Sequence, residues 1–159
     1  MNLEFAIDLK YLWLLIDIFF VILFFKQKNY IFLNVAVASL IDTILASMIF
    51  LPLYNHHDAI YLWYTAWMWT GVFFTLQIVL FSVYWLGITK RLIIYLVVIT
   101  LIGLLGWLRF IERHYFDTEF VMLFYQNTYL WSIVCIAILT LEAFNPEKKI
   151  FYPYKKIST

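Results

Sequence analysis

The chain has 159 residues, of which 65% are hydrophobic, 22% aromatic and 13% charged, with a formal net charge of +1. Soluble domains carry about 25% charged residues, so this composition excludes an ordinary soluble fold. The near-neutral balance leaves no basic face for nucleic acid, and strands of alternating polarity, the mark of an outer-membrane barrel, are absent. The expected fold is all-α: a polytopic integral membrane protein with a bundle of five transmembrane helices.

The first apolar run, Leu9–Phe25, follows an N-terminal stretch with acids ahead of Lys10 and has no small-residue cleavage site after it. It therefore reads as a first span and not as a removable signal peptide. It holds an acid, Asp17, in WLLIDIFFVIL. After KQKN comes the second run, Tyr30–Tyr54, with a second acid, Asp42, near its middle. On a helix, Ser39, Asp42, Thr43, Ala46 and Ser47 recur at spacings of three and four and form one small, polar stripe. In lipid such stripes let helix backbones approach closely, so Asp42 is expected to point into the bundle and the second helix to be central.

The third run, Ile60–Ile88, places Ala66, Thr70, Gln77 and Tyr84 near heptad spacing. The fourth, Leu92–Phe110, offers Thr100, Gly103 and Gly106 as a small face, and the fifth, Phe120–Phe144, carries Thr128, Ser132 and Cys135 ahead of Glu142. Each of these sets reads as a packing seam. Residues 145–159, NPEKKIFYPYKKIST, form a basic and aromatic tail that Pro146 and Pro153 hold extended. It would lie on an anionic inner leaflet or dock on a partner.

Each run suits the roughly 20 residues that cross a bilayer core, and the short breaks leave no room for a soluble domain. Lys26, Lys28, Lys90, Arg91, Lys148, Lys149, Lys155 and Lys156 fall on one side, against Lys10, Arg109 and Arg113 on the other. By the positive-inside rule the N-terminus is outside and the C-terminus inside, in a bacterial cytoplasmic or organellar inner membrane.

Two carboxylic acids in spans must be neutral, paired or hydrated. No lysine or arginine lies at matching depth, which leaves hydroxyls and amides as partners, among them Ser39, Thr43, Thr70 and Gln77. The acids are then either interhelical hydrogen-bond glue or the lining of a proton or cation route. A separate cluster gathers at the outer face: His56, His57, Arg109, Glu112, Arg113 and His114. There two arginines could hold a phosphate or carboxylate, but the histidine spacing matches no established metal site, and interfacial polar residues that end helices explain the set. No cofactor is implied: the histidines lie in loops or at span ends, every lysine flanks a span, and a single Cys135 excludes an intrachain disulfide.

These features point to a non-catalytic subunit of a homo-oligomer or larger membrane complex, with lipids and other membrane subunits as partners. Asp42 leaves open a proton or cation route. The alternatives are a small transporter or channel, and an enzyme acting on lipid headgroups at the outer face.

Overall fold

The computed structural model describes residues 3–53, 59–112, 115 and 128–152. Among them run five α-helices: α1 (Leu3–Lys26), α2 (Tyr30–Leu53), α3 (Ala59–Phe81), α4 (Lys90–Ile111) and α5 (Thr128–Phe144). A π-helical turn, Ser82–Leu86, prolongs α3. The only strand-like pairing among the described residues is an isolated antiparallel bridge between Ile88 and Phe151.

Local chemistry sets the turns. Lys28 takes a left-handed φ of 55° and ends α1, and Asn29 then opens α2, its carbonyl accepting the Leu33 N–H at 2.9 Å. Gly87, at φ 96°, closes the π-helical turn by donating its N–H to Ser82 O at 2.7 Å. Only glycine adopts that conformation without strain, and an added Cβ would stand 2.8 Å from Phe151 O. Thr89 caps α4, accepting the Leu92 N–H at 3.1 Å, which satisfies one of the donors that every helix start leaves open.

Successive helices pack on one another, α1 on α2 through to α4 on α5, and α5 also touches α1. The buried core concentrates where α1 and α2 meet the last turns of α5: Phe20, Phe24, Phe32, Val35, Ala36, Leu139 and Ala143. Phe20 stacks on Phe24 with centroids 5.8 Å apart, and Phe24 meets Phe32 at the same distance. Ala36, fully buried and four residues on from Phe32, presents little bulk at that contact.

The segment Met68–Leu86 and helix α4 are long and apolar enough to cross a membrane, while Tyr30–Leu45 and Leu130–Phe144 are apolar but shorter. Only 17% of each long window is buried within the chain. A core helix of a soluble protein is mostly covered; here Leu15, Phe25, Trp69, Phe73 and Leu104 all stand more than half exposed. Apolar surface of that extent marks association with a membrane or with other chains.

Two expectations about packing seams change. Gly103 and Gly106 have open space where a Cβ would point, and Gly103 and Thr100 are exposed, so the small face of α4 looks outward among the described residues. Tyr84 is 52% exposed although Thr70 and Gln77 face inward. The π-helical turn is the cause, because its wider winding rotates the residues after Phe81 out of α-helical register.

Candidate functional site

The polar groups of the interior form a series of cross-helix pairs. Asp17, 5% exposed, accepts from Ser39 Oγ at 2.8 Å and from Thr43 Oγ1 at 2.7 Å, one hydroxyl on each carboxylate oxygen. The two hydroxyls lie four residues apart, on one face of α2, and so clamp α1 to it. On the side of α2 that faces α3, Gln77 Nε2 donates to Asn34 Oδ1 at 2.7 Å, and Asp42 is hydrogen-bonded to Thr70. Thr70 Oγ1 also donates to Ala66 O at 3.0 Å. Thr70 thus links Asp42 on α2 to the backbone of its own helix at Ala66.

The expected single stripe of α2 is therefore divided. Ser39 and Thr43 serve Asp17, and Gln77 serves Asn34, so neither hydroxyl nor amide is the partner of Asp42. Adjacent residues on a helix point about 100° apart. Asp42 and Thr43, consecutive in sequence, consequently address different neighbours.

A second polar centre closes the end of the bundle that carries the basic turns. Glu142, 1% exposed, accepts from Arg91 Nη1 at 3.0 Å through Oε2 and from Asn29 Nδ2 at 3.0 Å through Oε1. The Glu147 backbone N–H also donates to it, at 3.1 Å. Arg91 Nη1 reaches Leu141 O and Asn145 O as well, Gln27 Nε2 donates to Ala143 O at 2.8 Å, and the Glu147 carboxylate accepts the Arg91 N–H at 2.8 Å. The start of the tail thus lies across the bundle end: Lys149 Nζ donates to Leu86 O at 2.6 Å, and Ile88 N–H donates to Phe151 O at 3.1 Å. Residues 145–152 leave the helix ahead of Pro146 and dock on the chain itself, while Pro153 lies outside the described residues. The sequence had marked Glu142 only as the end of a seam. The available signal was an acid inside the last turn of an apolar run, among bases on every neighbouring turn.

At the opposite end of α4, Arg109 Nη1 donates to Glu112 Oε2 at 2.6 Å, both groups being buried and three residues apart. This pair joins two members of the expected outer-face cluster within one turn. His56, His57, Arg113 and His114 lie outside the described residues. Among those described, no group of three His, Cys, Asp or Glu side chains could hold a metal ion. Two buried polar atoms, Asn34 Nδ2 and Ser82 Oγ, have no hydrogen-bond partner.

Against this geometry, comparison with protein-family models, with curated proteins and with solved structures finds no match to the chain.

Proposed function

We propose that the chain is an integral membrane protein of five spans, N-terminus outside and C-terminus inside, that acts as a non-catalytic subunit of a homo-oligomer or larger membrane complex. One observation carries this reading: the interior polar groups are engaged with one another across helix pairs, while the helices turn large apolar side chains outward. Such pairs fix helix rotation and register, and the outward surface is left for lipid and neighbouring subunits. The gathering of Lys26, Arg91 and Lys149 at one end, through the contacts of Gln27, Asn29 and Glu142, supports the orientation.

A proton or cation route past Asp42 is the second reading, favoured by its hydrogen bond to Thr70, which lines an α2–α3 cleft together with Ile41, Leu45 and Gln77. The two readings separate in one experiment. Protein purified in mild detergent is weighed for co-purifying chains, and ion flux is measured after reconstitution into vesicles, with Asp42→Asn and Asp42→Leu beside the wild type. A subunit gives a mass above one chain, flux equal to empty vesicles and tolerance of Asn. Flux that Asp42→Asn abolishes in a folded protein would replace the subunit reading with a conduit.

A further inference from the structure

Along the exposed side of α3 and its π-helical turn runs a cleft of about 500 Å³, walled by Phe73, Leu76, Leu80, Phe81, Tyr84 and Trp85, with Gln77 beside them. From Phe73 to Trp85 the helix rises about 18 Å at 1.5 Å per residue, close to the roughly 15 Å depth of one hydrocarbon leaflet. Apart from Gln77 the walls are apolar down to Tyr84 and Trp85, aromatic types of the kind that collect at membrane interfaces. One residue further on, the Lys149 ammonium sits at 2.6 Å from Leu86 O. An ammonium has three hydrogens, so that bond leaves two to offer. Lys90 and Lys148 are exposed in the same turn region.

We infer that this cleft is a binding site for an anionic phospholipid of the inner leaflet, with an acyl chain along Phe73–Trp85 and the phosphate against Lys149 and Lys90. The occupant follows from the charge at one end. A transmembrane helix of a second copy would fill the apolar walls, but its apolar side chains would bring no anion to the Lys149 ammonium beside Leu86 O. A zwitterionic lipid would place its own cation among them. Lys149 is held in place by the backbone carbonyl of Leu86 and by the tail pairing between Ile88 and Phe151, so the cationic end of the site is built by the fold. The inference rests on the membrane embedding and orientation proposed above, which are tested separately: resistance to alkaline carbonate extraction reports embedding, and a C-terminal reporter fusion reports the side of the tail, whatever lipid the protein binds.

The measurement is native mass spectrometry of protein offered equal amounts of dioleoyl phosphatidylglycerol and dioleoyl phosphatidylcholine. The wild type should retain phosphatidylglycerol preferentially, and the preference should fall with added salt. Lys149→Gln and Lys90→Gln should each lower it about fivefold. Leu80→Trp, which fills the cleft, should reduce both adducts. Lys149→Gln also loosens the tail, so where that variant unfolds the decision falls to Lys90→Gln. Equal retention of the two lipids by an embedded wild type, or an unchanged preference in Lys90→Gln, overturns the site. So does a two-chain mass without lipid adducts that Leu80→Trp breaks, which would give the cleft to a second copy.

Discussion

Removing the two hydroxyls that hold Asp17 should destabilise the bundle more than removing Asp17 itself. Asp17 is buried at 5% exposure, and each of its oxygens has one described partner, Ser39 at 2.8 Å and Thr43 at 2.7 Å. Interhelical hydrogen bonds in membrane bundles average about 0.6 and reach about 1.7 kcal/mol, so the two together contribute roughly 1–3 kcal/mol. Ser39→Ala with Thr43→Val deletes both and strands a buried acceptor, whose desolvation adds about 1–3 kcal/mol. The double variant should therefore lose about 2–6 kcal/mol.

Asp17→Leu leaves two hydroxyls instead, and these have an alternative. Thr70, Thr100 and Thr140 each donate to the carbonyl four residues upstream, at 3.0, 2.7 and 2.8 Å. Ser39 and Thr43 can turn back onto the Val35 and Ser39 carbonyls in the same way. With its new side chain in apolar surroundings, Asp17→Leu should lose less than about 1 kcal/mol. A gap of about 1.4 kcal/mol or more is a tenfold difference in the unfolding equilibrium, readable by circular dichroism during titration with sodium dodecyl sulfate in mixed micelles. If Asp17→Leu proves as damaging as the double variant, the asymmetry argument fails and the acid has a role beyond these two bonds.

Three further outcomes follow from the basic end. Glu142→Ala leaves Arg91 without its buried partner and should cost about 3 kcal/mol in the same titration, the lower end for buried pairs because Arg91 is part exposed; a loss under about 1 kcal/mol would show the pair to be peripheral. Gly87→Ala forces a side chain into φ 96° and against Phe151 O, a strain of roughly 1–3 kcal/mol, and limited proteolysis should then cut the tail faster than in the wild type. Deleting everything after Asn145 removes the Glu147 carboxylate from the Arg91 amide, whose hydrogen exchange should accelerate while amides in the middle of α2 keep their protection.

The helices were legible because each run is continuous and apolar: the expected bounds of Tyr30–Tyr54 and Leu92–Phe110 differ from α2 and α4 by one or two residues. What escaped was rotation about the helix axes. A run that is apolar on all sides shows no amphipathic face from which to read direction, so small residues at 100, 103 and 106 passed for a seam although Thr100 and Gly103 face outward. The π-helical turn at Ser82–Leu86 left no mark in the pattern of Ile60–Ile88 either, and it moved Tyr84 off the Thr70–Gln77 line. The Glu142 centre escaped for a different reason. Counting lysines and arginines orients a chain but ignores which of them an acid can reach, and Arg91 entered only as a topology marker while its side chain joins α4 to α5.

The division of polar groups on α2 bears directly on what the interior is for. At about 100° per residue, Ser39 and Thr43 project roughly 120° away from Asn34 and Asp42. The first pair engages α1 and the second α3. Turning α2 by one residue would break all of these contacts together, so the set fixes a single rotation of the central helix against both neighbours, a task to which bonds of modest strength are well suited. A conduit asks for the opposite arrangement, with ionisable groups on one face and open to one another. Here the two carboxyl groups bond to different helices: Asp17 of α1 is held by Ser39 and Thr43 of α2, and Asp42 of α2 by Thr70 of α3. On that division we propose a rigid subunit in preference to a channel: Asp42→Asn, which keeps a hydrogen-bonding side chain opposite Thr70, should leave the fold intact, while Asp42→Leu removes the link between α2 and α3 at that level.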